Sequence, residues 1–151
     1  MRKIRITKQF SFEMAHVLHG HDGLCSNVHG HSYQLYVCLR GEPLEDKNSP
    51  KCGMVMDFSD LKQIVNQHII NIFDHALVLS HLTDSQTVEI LQKSFPKVVI
   101  LDYQPTSEMM LYDFAQRIGA QLPQNVELYS LQLCETNTST AQWFAEDNIV
   151  E

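Results

Sequence analysis

The segment His29-Gly30-His31-Ser32-Tyr33-Gln34-Leu35-Tyr36-Val37-Cys38-Leu39 alternates between two kinds of side chain. Its odd-numbered positions are histidine, tyrosine or aliphatic, and most of its even-numbered positions are small or polar. Such alternation is typical of a β-strand with one buried face, because successive side chains point to opposite sides. We therefore predict a strand from about His29 to Arg40 whose inner face begins with two histidines.

A second segment, from Ile4 to His16, has the same period and also ends in a histidine on its apolar face. If the two strands pair as an antiparallel hairpin, His16 meets His29 and His31. Side chains two positions apart on one strand are neighbours, so the His-x-His pair can chelate a metal ion. Three imidazoles around Zn²⁺ with a fourth position open are typical of catalytic sites, whereas structural zinc sites usually have four protein ligands.

Cys25 lies in the loop between these strands, which we expect to cover the metal. A nearby cation would favour its thiolate, which is the form that acts as a base or nucleophile. Two roles are open at this point. Cys25 is either a reactive residue beside an open metal site or a fourth zinc ligand that closes a structural site.

The same loop contains a second spaced pair, His19 and His21. This pair could compete for the metal. Gly20 and Gly23 predict a mobile loop, however, because glycine is conformationally permissive. A preformed metal site is therefore expected on the strands and not in the loop.

The rest of the chain predicts an α+β fold, an antiparallel sheet with two main helices on one face, in a single domain over residues 1–151. The pattern changes from period two to helical spacing after Ser59, with Asp57 or Ser59 as the helix cap. The other predicted elements are a strand over Met54–Phe58, helices over Leu61–Phe73, over Asp84–Ser94 and after the N-cap Thr106, a buried strand over Lys97–Asp102, and strands over Val126–Glu135 and Gln142–Ala145.

Composition limits the partners and the compartment. The formal net charge of -7 argues against nucleic acid, whose binders usually carry basic surfaces. No apolar run approaches the ~20 residues of a membrane-spanning helix, and the first residues do not resemble a signal peptide. The four cysteines are scattered without a Cys-x-x-Cys pair, which predicts free thiols in a reducing compartment, the cytoplasm.

Two further positions carry acidic groups of interest. Asp74-His75 ends the predicted helix, and a carboxylate beside an imidazole is either a proton relay or a simple helix C-cap. Glu135 ends an apolar strand, where a carboxylate is either exposed to solvent or placed to accept two hydrogen bonds from a guanidine-like ligand edge. The residues alone leave these alternatives open.

Taken together, the motifs resemble the family of 6-pyruvoyl-tetrahydropterin and 6-carboxytetrahydropterin synthases. The matching segments run in the same order over nearly the whole chain: Phe12-Glu13-Met14-Ala15-His16, Cys25-x-x-x-His29-Gly30-His31, Met56-Asp57-Phe58-x-x-Leu61-Lys62, Phe73-Asp74-His75, Pro105-Thr106-Ser107-Glu108 and Cys134-Glu135-Thr136. The three residues between the cysteine and His-x-His resemble the carboxy enzyme of the queuosine pathway. Pyruvoyl synthases more often have five.

The resemblance implies a tunnelling fold (T-fold) with a four-stranded antiparallel sheet and two helices. It also implies assembly of identical subunits into a ring or double ring, an oligomeric barrel with active sites between subunits. The implied site residues are zinc ligands His16, His29 and His31; a proton-transfer residue, Cys25, with relay partners Asp74 and His75; a pterin anchor, Glu135; and pocket residues Thr106 and Ser107.

The implied reaction converts 7,8-dihydroneopterin triphosphate to 6-carboxy-5,6,7,8-tetrahydropterin, acetaldehyde and triphosphate, a step toward the queuosine precursor. Three alternatives remain: a pyruvoyl synthase, which keeps all side-chain carbons, a non-catalytic zinc- or pterin-binding module, and a zinc hydrolase that does not need Cys25. Met109 replaces a frequent asparagine of the family, and the segment from Ser80 to Asp102 is longer than in compact members. The resemblance does not identify residues that contact the triphosphate.

Overall fold

The centre of the fold is a long β-hairpin. In the computed structural model, which describes residues 2–149, strand β1 (Ile4–His16) pairs antiparallel with strand β2 (His29–Gly41). The register places His16 opposite His29 and Met14 opposite His31. The predicted hairpin is confirmed, and it brings the three histidines to one end of the sheet.

The hairpin lies in the middle of a six-stranded sheet with the strand order β4-β3-β1-β2-β5-β6. The four outer strands are β3 (Ala76–Ser80), β4 (Val98–Leu101), β5 (Val126–Cys134) and β6 (Thr140–Phe144). Strands β5 and β6 extend the hairpin with antiparallel pairing, whereas β3 pairs parallel with β1 and β4 pairs parallel with β3. The α+β fold is confirmed, and β1, β2, β5 and β6 form four antiparallel strands as predicted; the prediction of a four-stranded sheet is wrong because the parallel strands β3 and β4 extend one edge.

The sequence does not predict strand β3, because this strand has no alternation of apolar and polar residues. Four of its five residues are buried, so its sequence Ala-Leu-Val-Leu-Ser is apolar on both faces. The neighbouring strand β4 was predicted to be buried, and this is wrong in part, since Ile100 is 38% exposed. Strand β4 forms the edge of the sheet, and the helix before it, α3 (Ser85–Ser94), has no buried residue with which to cover it.

The predicted strand over Met54–Phe58 does not form. The Leu44 N–H donates to the Met54 carbonyl, and the Gly53 N–H donates to the Leu44 carbonyl. These two hydrogen bonds form a compact turn. Asp57 then caps helix α1 (Phe58–Val65) by accepting a hydrogen bond from the Ser59 N–H at 2.8 Å. A short aspartate side chain that satisfies a helix N-terminus favours a helix start over a strand end.

The two main helices follow the predicted positions. Helix α1 continues through a wide π-turn over Asn66–Ile70 into the short helix α2 (Asn71–Phe73), which together match the predicted helix. Helix α4 (Ser107–Gly119) begins where predicted, because the Thr106 hydroxyl accepts a hydrogen bond from the Met109 N–H at 3.3 Å. The predicted helix over Asp84–Ser94 is also confirmed, with Asp84 as its cap.

The core lies between these helices and the inner face of the hairpin. Phe12 stacks on Tyr33 with ring centroids 5.1 Å apart, and Phe114 of helix α4 meets the edge of Phe12 at 6.3 Å. Tyr33 is the next inner-face residue after His31 on the same strand, so the aromatic core forms the floor beneath the histidines. All four cysteines are free thiols. Within residues 2–149, every helix is too short or too polar to span a bilayer.

Candidate metal centre and active-site pocket

His16, His29 and His31 form a compact cluster at the end of the hairpin. One ring nitrogen of each lies within 4.8 Å of the others. His16 is buried, with 2% of its surface exposed, and the other two are partly buried. The hairpin register therefore places three potential ligands around one point, as the sequence predicts.

Backbone carbonyls orient two of these rings. The Nδ1 of His16 lies 2.7 Å from the carbonyl oxygen of Pro105, and the Nδ1 of His29 lies 2.8 Å from that of Asn27. A carbonyl oxygen can only accept a hydrogen bond, so each Nδ1 carries the hydrogen. In the neutral rings the two Nε2 atoms then present lone pairs, and they lie only 3.0 Å apart.

Two facing lone pairs repel each other unless a cation lies between them. Protonation is disfavoured, because burial lowers the pKa of His16, and the neighbouring His29 and His31 lower it further against the opposing effects of the Pro105 carbonyl and Glu135. The Nε2 atom of His31 is also buried without a hydrogen-bond partner. A metal ion would satisfy all three nitrogens, so the donor set fits a metal.

Cys25 is not part of the metal cluster. In the described part of the chain, the group of mutually close ligand atoms contains the three histidines and neither Cys25 nor Glu135. Cys25 instead lies in a short 3₁₀ turn (Leu24–Ser26), and its carbonyl accepts a hydrogen bond from the Leu18 N–H at 3.0 Å. This geometry favours the open metal site over the four-ligand alternative.

A cavity of about 390 Å³, here called the Cys25 pocket, joins the metal cluster to four of the other predicted site residues. Its lining includes His16, His29, Cys25 and Glu135, together with Thr106 and Ser107 at the start of helix α4. The structure thus brings Cys25, two of the predicted metal ligands and the three predicted substrate-binding residues into one pocket. The hydroxyl of Thr106 is already used as the helix cap, which gives this residue a structural role as well.

The Glu135 carboxylate is held between the pocket and the metal cluster. One oxygen accepts a hydrogen bond from the Ser107 hydroxyl at 2.9 Å, and the other lies 3.4 Å from Nε2 of His31. Burial raises the pKa of Tyr33 well above its usual range, and the negative charge of Glu135 adds to this effect. The Tyr33 hydroxyl therefore stays protonated beneath the site.

Asp74 and His75 lie outside the Cys25 pocket. The Oδ1 of Asp74 accepts a hydrogen bond from the Glu13 N–H at 2.9 Å, and its Oδ2 lies 3.0 Å from Nδ1 of His75. The Glu13 N–H group is the main cause that lowers the pKa of Asp74, with a smaller contribution from His75. Asp74 is also the C-cap of helix α2, and His75 has a positive φ of 58°.

His75 lines a different cavity, of about 480 Å³, beside the outward-facing residues of the hairpin. Its walls also include Gly30, Phe95, Lys97 and His31, the third histidine of the metal cluster, and it shares no lining residue with the Cys25 pocket. The His75 side chain is 77% exposed. Within one chain, the structure does not bring Asp74 and His75 to Cys25.

Sequence reasoning missed several residues of the Cys25 pocket. They are Leu18, His21, Glu108 and the segment Ser139-Thr140-Ala141. The hairpin between β5 and β6 brings the last three beside Glu135, and the period-two pattern before and after this turn was the available signal. His21 carried only a weak signal, because its place depends on how the loop folds.

Comparison with known proteins places the chain in a family. The sequence model described as 6-pyruvoyl tetrahydropterin synthase matches residues 5–146. The chain belongs to this family. The predicted resemblance is confirmed.

Similar proteins align with this chain over nearly its full length. A 6-carboxy-5,6,7,8-tetrahydropterin synthase of Haemophilus influenzae is 38% identical over 141 residues, which cover 92% of this chain and 97% of that protein. A protein of the same name from Synechocystis is 36% identical, covering 93% and 92%. The Caenorhabditis elegans 6-pyruvoyl tetrahydropterin synthase structure aligns with a TM-score of 0.67 and 25% identity, covering 96% of this chain and 97% of that one.

The cluster predicts how metal content responds to substitution. Replacing His29 with alanine removes one of three ligands and the Nδ1 contact to Asn27, so we expect the His29→Ala variant to lose most of its bound metal. The wild type should retain about one ion per chain by elemental analysis after dialysis. The exposed His81, replaced by alanine, is the matched control and should keep wild-type content. Equal metal in the wild type and His29→Ala would contradict the assignment.

Proposed function

We propose that this protein is a zinc-dependent 6-carboxy-5,6,7,8-tetrahydropterin synthase. It converts 7,8-dihydroneopterin triphosphate and one water molecule to 6-carboxy-5,6,7,8-tetrahydropterin, acetaldehyde and triphosphate. The main support is the identity of 36–38% to two synthases of that name over more than 90% of the chain. The pocket adds chemical support, because two histidines of the three-histidine cluster, a thiol and a carboxylate line one cavity.

The proposed metal is zinc. Imidazole ligands suit zinc, and three histidines with an open fourth position match the ligand set of catalytic zinc sites. When bound, zinc would act as a Lewis acid on the oxygens of the substrate side chain and make the adjacent carbon-bound protons more acidic. His16, His29 and His31 would hold it.

Glu135 anchors the pterin ring in this proposal. Its two carboxylate oxygens can accept the parallel N–H groups of the pterin 2-amino group and the neighbouring ring nitrogen. The Ser107 hydroxyl donates a hydrogen bond to the carboxylate at 2.9 Å and so fixes its orientation. Lone pairs on both carboxylate oxygens remain available for the pterin. Thr106 and Ser107 also form the wall where helix α4 begins.

Cys25 is the residue that moves a proton inside the pocket. Its Sγ accepts a carbon-bound proton of the substrate side chain as the thiolate and returns it as the thiol. Its place outside the metal cluster supports this role, because a thiol that ligated zinc would not be free to exchange a proton. A zinc hydrolase would have no use for this thiol.

Asp74 and His75 serve the pocket of a neighbouring subunit. Asp74 accepts hydrogen bonds from Glu13 and His75, which holds the imidazole in one orientation and leaves its Nε2 free to exchange a proton. The exposure of His75 and its place in a cavity other than the Cys25 pocket support a role across an interface. A ring or double ring of identical subunits would bring the two half-sites together.

Product analysis tests the reaction. Incubation with 7,8-dihydroneopterin triphosphate should release acetaldehyde and triphosphate in equal amounts, because the proposed reaction cleaves the side chain. A pyruvoyl synthase would release triphosphate without acetaldehyde, and a binding module would release neither. The Cys25→Ala variant should keep its zinc and lose turnover by about 10²–10⁴-fold, the usual contribution of a general base. The variant Cys52→Ala, at an exposed thiol outside the pocket, is the control.

Mixing of variants tests the shared site. Cys25→Ala and His75→Ala subunits are each inactive alone, since every site lacks one residue. When the two are co-assembled in equal amounts, about one quarter of the interfaces contain both intact residues, so activity should return to about that fraction of the wild type. If both residues acted within one chain, the mixture would stay inactive.

A further inference from the structure

The loop between β1 and β2 forms a defined turn around His21. The His21 N–H donates to the Leu18 carbonyl at 3.2 Å, and the Leu18 N–H donates to the Cys25 carbonyl. On the other side, the backbone of His19 donates to and accepts from the side-chain amide of Gln104, at 3.0 and 2.6 Å. The prediction of a mobile loop is therefore wrong. The loop is tied to Gln104, in the segment that leads to helix α4.

The turn also fixes the orientation of the His21 ring. Its Nδ1 accepts a hydrogen bond from the Gly23 N–H at 2.8 Å, so the neutral ring carries its hydrogen on Nε2. Within residues 2–149, Nε2 has no hydrogen-bond partner. A Cβ at Gly23 would lie 3.1 Å from Cε1 of His21, which shows how closely the turn holds the ring.

The Cys25 pocket has an unusual charge balance for the proposed substrate. Its lining contains two carboxylates, Glu108 and Glu135, and among the described residues no lysine or arginine lines it. A triphosphate chain carries several negative charges and needs hydrogen-bond donors as well as the metal. His16 and His29 use their rings for the metal and for backbone carbonyls. His21 is the remaining imidazole in the lining, and its donor nitrogen is unused.

We propose that His21 binds the triphosphate of the substrate by donating its Nε2 hydrogen to a phosphate oxygen. It thereby favours the phosphorylated pterin over the same pterin without phosphate. The inference rests on the proposed function, since it deepens the assignment of that pocket. It gives the His19–His21 pair a divided role, in which His19 ties the loop through its backbone and His21 contacts the ligand through its ring.

Binding measurements on the zinc-loaded protein test this role. Inorganic tripolyphosphate and neopterin serve as probes for the two halves of the substrate in calorimetric titrations. The His21→Ala variant should bind tripolyphosphate about ten-fold more weakly, the effect of losing one hydrogen bond to a charged group, while neopterin binding and zinc content stay unchanged. In turnover, the loss should appear in KM and not in kcat. The matched control His19→Ala keeps the backbone contacts and should behave as the wild type in every measurement.

Three results would overturn the proposal. These are undetectable binding of tripolyphosphate by the wild type, unchanged binding by His21→Ala, and an equal loss for both probes, which would indicate a collapsed pocket. His21→Gln separates the hydrogen bond from ring shape, because its amide can donate in place of Nε2 and should recover part of the lost affinity. The titrations do not depend on turnover. If the wild type failed to convert 7,8-dihydroneopterin triphosphate, the proposed function would fail while the His21 comparison would still be decided.

Discussion

The antiparallel register of the central hairpin is the constraint on which the site depends. It sets His16 opposite His29 and gives both the inner face, with His31 two residues further along. A shift of one residue would turn the histidines of one strand to the open face, because strand side chains alternate. The apolar and aromatic residues on the same faces resist such a shift, since it would also remove Phe12 and Tyr33 from the core. Core packing therefore holds the three histidines in place.

The hairpin separates two kinds of chemistry on its two faces. The inner face holds the histidine cluster and the pocket that contains Cys25 and Glu135. The open face holds the Asp74–His75 pair through the Glu13 backbone. Strand β1 thus carries His16 on its inner face and bonds Asp74 and His75 through the backbone of Glu13. The described lining of the Cys25 pocket contains acids and imidazoles but no lysine or arginine.

The sequence predicts the elements that are determined by neighbouring residues, through side-chain alternation and helix capping. Alternation identified the two hairpin strands and the face of each histidine, and the cap at Thr106 identified the start of helix α4. Strand β3 was missed because burial on both faces leaves no alternation. The strand predicted at Met54–Phe58 failed because Asp57 caps a helix there. The resemblance to the family identified Asp74 and His75 as site residues, but no sequence pattern could show that both lie outside the Cys25 pocket of the same chain. His21 was discounted because the bonds that hold its loop come from Gln104, far away in sequence.

Anomalous diffraction at the zinc absorption edge, on crystals of the protein purified without added metal, tests the central claim most directly. The account predicts one strong peak within about 2.0–2.1 Å of a ring nitrogen of His16, His29 and His31, with no fourth ligand from the protein. A peak that is absent at the cluster, or one that includes the Cys25 sulfur as a fourth ligand, would contradict it.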